Sequence, residues 1–236
     1  MSSAHRLYSD WSEHFRREWF GGKFERFGEL CGPFLLDATP EFSAARRRVL
    51  FVGQETNGWY SVSDFLKMTG GLSEAVSWYR DFDFAYSHPA ARSPFWRFHR
   101  MLAQSLDLHW RALLWSNLVR FDGKHLSRSG ASILGMPFEN DLLTLQRGVL
   151  TREIERLEID TVVLVTGPDY DHAIRSEFGE VEFAIIAGWQ ARQMAEVKVR
   201  SLSSARMIRT YHPAYLQRAS IFDDAADAIV RFCDRL

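Results

Sequence analysis

Val49-Leu50-Phe51-Val52-Gly53-Gln54-Glu55-Thr56-Asn57-Gly58 is the stretch on which the fold turns. An apolar, β-prone run too short for a helix leads straight into glycine, an amide and a carboxylate, the pattern of a buried strand that delivers polar groups to a rim. Three further runs have the same form: Ala112 to Trp115 running on to Leu118, Thr161 to Val165, and Met207 to Tyr211. They lead into Ser116-Asn117, Thr166-Gly167-Pro168-Asp169 and His212-Pro213-Ala214-Tyr215-Leu216. Between them Ser93 to Leu106 and Glu139 to Leu157 carry apolar residues at helical spacing, and Pro168 to Phe178 opens on a proline suited to a first turn. Alternating strands and helices predict an α/β fold, a three-layer αβα sandwich around a central four-stranded parallel sheet. Ligands of such sheets sit beyond the carboxyl ends of the strands, so the four endings carry the functional weight.

The bulk properties fit one domain. The chain has 236 residues, 46% hydrophobic and 14% aromatic, enough to bury a single substantial core over 1–236 with residues 1–45 as an N-terminal helical cover. Within that cover Trp11 to Phe20 reads as an aromatic helix. Lys and Arg number 29 against 30 Asp and Glu, which excludes a polycationic tail, although a local patch still suffices to hold a few phosphates. Cys31 and Cys233 alone make neither a tetrahedral zinc site nor an iron-sulfur cluster, so two reduced, buried thiols and no metal or cofactor are expected. His99, His109, His125 and His172 lack metal-ligand spacing. The first twenty residues contain no long apolar stretch, which argues against a signal peptide or membrane span and for a cytoplasmic, bacterial-type location. A monomer is expected.

Taken together, the four endings resemble the uracil-DNA glycosylase superfamily, whose first motif reads G-Q-D-P-Y or G-x-N-P-G and whose last reads H-P-S-x-L. The likeness runs from Val49 onward. It implies that Glu55, at the third place of the first motif, positions or activates water, and that His212 stabilises negative charge on the departing base. It places Asn117 where the family reads the pyrimidine edge, with Gly53, Gln54, Asn57 and Tyr60 around the base. The segment Phe84-Ala85-Tyr86-Ser87-His88-Pro89-Ala90-Ala91-Arg92, followed by Phe95-Trp96, is similar to F-A-H-P-x-N-R-F-W of the mismatch-specific branch and makes Phe84 the candidate for stacking on an extruded base. The loop after the last-motif histidine implies DNA contacts from Pro213, Tyr215, Leu216 and Arg218, with Leu216 as the side chain that fills the gap. The short basic stretch Lys124 to Arg128, with Arg120, reads either as phosphate contacts or as a solvated loop.

The implied activity is monofunctional hydrolysis of an N-glycosidic bond in double-stranded DNA that holds an altered or mispaired base, leaving an abasic site, in genome repair or phage restriction. Such cleavage develops cationic character on the sugar and anionic character on the base, which a carboxylate and a donor answer from opposite sides. The flipped nucleotide costs a few kcal/mol of unstacking. Two places depart from the family: Thr56 replaces a proline and Ala214 a serine. A third, Asn57, stands where uracil-specific members carry a tyrosine that blocks five-substituted pyrimidines, so a bulky or modified base enters the expectation. A non-catalytic nucleic-acid or nucleotide sensor on the same fold is the alternative. Other nucleotide hydrolases are disfavoured because neither G-x-x-x-x-G-K-[ST] nor G-x-S-x-G occurs.

Overall fold

The computed structural model describes residues 3–22, 30–123, 132–202 and 204–234. Strand β1 (Val49–Glu55) lies inside the sheet, parallel to β2 (Leu114–Val119) on one side and to β3 (Thr161–Leu164) on the other. Every residue of β2 and β3 is buried, as continuous apolar runs require when both faces are covered. β6 (Arg206–Thr210) pairs in parallel with β3.

The sheet does not stop there. β5 (Met194–Val199) pairs antiparallel with β6, and β4 (Val181–Ile185) antiparallel with β5, giving a mixed six-stranded sheet of order β2-β1-β3-β6-β5-β4 rather than the four parallel strands expected. The edge strand β4 is only partly buried, so it lacks the long apolar run that marks an interior strand. Met194 pairs with Thr210, so the connection from β4 to β5 opens at the same rim as the carboxyl end of β6. Arg209 fixes that connection by donating to the carbonyls of Ala191 and Arg192 and pairing with Asp171.

Strand alternation divides the two faces. Phe51, on β1, touches Phe95, Phe98 and His99 of helix α5 (Pro94–Ser105) on one face. On the other, Ser116 of β2 donates to Glu153 of α7 (Val149–Arg156), which also accepts from Tyr8 of α1 (Ser3–Phe20). Helices therefore cover the sheet on both sides. Arg120 completes this buried cluster, donating to Glu153 at 2.6 Å and to Ser116 at 2.8 Å. It therefore has no path to a phosphate, and Lys124 to Arg128 lie outside the described residues.

Several elements differ from the sequence reading in extent. The helical pattern from Glu139 breaks into α6 (Glu139–Gln146) and α7 at Gly148, whose φ of 81° favours glycine. Pro168–Tyr170 forms a 3-10 turn before α8 (Asp171–Phe178). Within the cover, α1 begins well before Trp11, and α2 (Pro40–Ala44) is capped by Thr39. Both cysteines are buried. Among the described residues no helix is long and apolar enough to cross a membrane, and no cluster of ligating side chains stands ready for a metal.

Candidate active site

Beyond the carboxyl ends of β1 and β2 the chain leaves a cleft of about 1030 Å³. Gln54, Glu55 and Asn57 reach it from β1 and the turn after it, Asn117 from β2, and His212 from the residue pair that follows β6. The remaining wall comes from α4 (Gly71–Phe82), the turn Ser87–Ser93, and the first turn of α5. Three separated strand endings thus meet in one space.

Glu55 is held on both oxygens. Oε1 accepts from Ser132 Oγ at 2.5 Å and Tyr170 OH at 2.6 Å, and Oε2 accepts from the Ile133 backbone N–H at 3.0 Å. Burial raises its pKa from the ordinary carboxylate value, although all three donors pull the other way. A carboxylate offers about four lone-pair sites, so Oε1 is filled and Oε2 keeps the position open to a water or substrate proton.

His212 caps helix α9 (Pro213–Arg218), its Nδ1 accepting the Ala214 backbone N–H at 3.2 Å. That bond requires a lone pair on Nδ1 and so assigns the proton to Nε2. Burial, with the nearby Arg218 charge, lowers the imidazole pKa to about 4. The ring is neutral at ordinary pH and presents one N–H donor. Phe95 lies nearly parallel to it, at 6.0 Å and 20°.

Asn117 is 3% exposed and its side chain lines the cleft from β2. Its amide offers both donors and an acceptor to the edge of a ligand in the cleft. Gly53 pairs with Asn117 across the two strands, and a Cβ there would sit 2.6 Å from Asn117 Oδ1 and 3.0 Å from Phe95 Cε2. Its role is close approach, which positions the amide without touching the cleft. Gln54 donates to the Thr166 carbonyl at 2.7 Å and ties β1 to the end of β3.

The first-motif departures have a structural reason. Thr56 Oγ1 donates to Asp122 Oδ2 at 2.6 Å and the Gly58 N–H donates to the same oxygen at 2.8 Å, so a side-chain anchor holds the turn where a proline ring would stiffen it. Ala214 contributes its backbone N–H to His212.

Four predicted residues, Phe84, Tyr60, Leu216 and Pro213, are buried and do not line the cleft. Phe84 is 2% exposed and packs against Tyr79, Trp96, His99 and Trp110, because the chain at Asp83, Phe84 and Ala85 turns inward with φ of 46°, 55° and 57°. It cannot stack on a base in the cleft, whereas Phe95 lines it. Tyr60 is buried and donates to the Pro33 carbonyl at 2.5 Å. Leu216 is 0% exposed, facing inward from α9, while Tyr215 is 42% exposed with its ring 4.1 Å from Tyr211. Pro213 is buried at the first turn of α9, and Arg218 stands in its last turn. Tyr170, Ser132 and Asp122 escaped the sequence reading, since none sits at a motif position.

Compared with known proteins, the chain matches no family model and no curated protein sequence.

Proposed function

We propose that the protein is a monofunctional DNA glycosylase that flips a pyrimidine-type base into the cleft and hydrolyses its glycosidic bond. The observation that carries this reading is the meeting of a buried carboxylate, a neutral imidazole with an N–H to donate and a side-chain amide in one cleft. The uracil-DNA glycosylase likeness of the strand endings supports it further.

Each group has a part in the chemistry. Glu55, through the open position on Oε2, orients and activates water toward the sugar carbon as positive charge grows there. His212 Nε2–H donates to the base oxygen that becomes anionic, stabilising the leaving group without transferring charge at the start. Asn117 reads the base edge and Phe95 supplies the stacking face. Tyr215, backed by Tyr211, fills the space the base vacates. Among the described residues no lysine lines the cleft to attack the sugar and form a Schiff base.

Glu55→Gln keeps the shape and removes the ionisable group. It should lower single-turnover base release by about 100-fold or more while DNA affinity stays within a few-fold of the parent. Full release by this variant would end the assignment, and binding to DNA with no release by the parent protein would favour the sensor reading instead.

A further inference from the structure

The cleft is larger than its chemistry needs. At about 1030 Å³ it stands at the upper end of pockets that hold whole drug-sized ligands, while a flipped pyrimidine ring occupies only the part near Glu55, Asn117 and His212. The rest is bounded by Trp59 and by Trp78, Asp81 and Phe82, which stand at i, i+3 and i+4 on one side of α4. Trp59 connects these walls, with ring centroids 6.4 Å from Trp78 and 5.7 Å from Phe82. Asn57 and Gly58 line the same cleft, and at Asn57 the likeness to uracil-specific enzymes would put a tyrosine against ring position five. Gly58, at φ 76°, contributes no side chain.

Charge decides what fits. Glu55, Asp81 and Asp122 line the cleft, and among the described residues neither lysine nor arginine does. Asp81 forms no hydrogen bond or ion pair among the described residues, so its carboxylate has lone pairs to offer. A phosphate or carboxylate placed there meets like charge without a counterion, whereas hydroxyl or ammonium donors find charge-assisted acceptors. The side chains of Trp59 and Trp78 add aromatic, apolar surface to the lining.

We propose that this outer region is a substituent pocket, and that the base taken by the protein is a pyrimidine bearing at ring position five a donor-rich, hydroxylated or amino-bearing group and not an anionic one. This rests on the glycosylase reading.

Synthetic duplexes carrying one uracil, one 5-hydroxymethylcytosine, its glucosylated form, one 5-aminomethylcytosine or one 5-carboxylcytosine test it, with the released base identified by mass. The glucosylated or aminomethyl base should leave at least 10-fold faster than the carboxyl base. Asp81→Asn, a substitution at the cleft mouth, should narrow that ratio about 10-fold by relieving the repulsion. Release of 5-carboxylcytosine as fast as the donor-bearing bases, or an unchanged ratio in the variant, overturns the substituent pocket. Release of uracil alone overturns it too, and leaves the glycosylase reading standing. No release from any duplex by protein with native circular dichroism removes both.

Discussion

Glu55 is pulled two ways, and the balance sets its chemistry. Burial disfavours the carboxylate, while Ser132, Tyr170 and the Ile133 N–H favour it, and the net pKa lies above the ordinary value. In the glycosylase role we propose for it, Glu55 must be ionised to activate water, so activity should climb with pH through this raised pKa. Because His212 titrates near pH 4 and is neutral above it, its deprotonation adds no limb near neutrality. Tyr170→Phe removes a donor to the charged form, pushing the Glu55 pKa higher still. The acid limb of the pH-rate profile should then move to higher pH, with the plateau rate falling about 10-fold and KM little changed. A loss of melting temperature with no displaced limb would mean that Tyr170 only packs. Glu55 and His212 were legible because they follow apolar runs at strand ends, and Asn117 because it interrupts the apolar run of β2. Tyr170 and Ser132 were not, since their bonds to Glu55 join residues 115 and 77 positions apart that no local pattern links.

At the scale of elements, α9 shows what a motif position leaves open. The H-P-x-x-L spacing places Leu216 as the wedge, but helical geometry turns that residue into the core and leaves Tyr215 outside, stacked on Tyr211. Tyr215→Ala should lower kcat/KM on duplex DNA by about 10-fold or more, since unstacking costs a few kcal/mol, and should leave single-stranded substrate nearly unaffected. Equal losses on both strands' forms, read by single-turnover release, would count against a wedge. The interior strands were readable from their unbroken apolar runs. The edge strand β4, with Glu182 and Ile185 facing solvent, and the inward turn at Asp83–Ala85 were not. Three consecutive left-handed residues have no propensity signature outside glycine, and each is held by what surrounds it, including the Arg111–Asp83 ion pair and the aromatic packing of Phe84.

Across the whole molecule, the buried ionic cluster and the cleft occupy opposite faces of the sheet. Arg120 and Glu153, 1% and 0% exposed, bind each other and draw in Tyr8 and Ser116, so one ionic cluster fastens α1 and α7 beneath β2. Breaking such a pair leaves a buried charge alone. Arg120→Met should therefore lower the unfolding free energy in denaturant by about 3–5 kcal/mol, and Arg120→Met with Glu153→Leu should recover much of it. Activity of the folded fraction should persist, since the cleft opens on the other face. Near-neutral overall charge hid this arrangement, because composition counts charges without placing them.

The antiparallel return of β5 along β6 also sets a length. Strands lie about 4.8 Å apart, so β5 and β4 lengthen the rim by roughly 10 Å beyond His212, and the Ile186–Gln193 connection, tied down by Arg209, stands on that extension. On the glycosylase reading we propose, a duplex laid along the rim, at roughly 3.4 Å per base pair, would meet protein over about three more steps on that side of the flipped nucleotide than the parallel strands alone would reach. Under that proposal the footprint is lopsided.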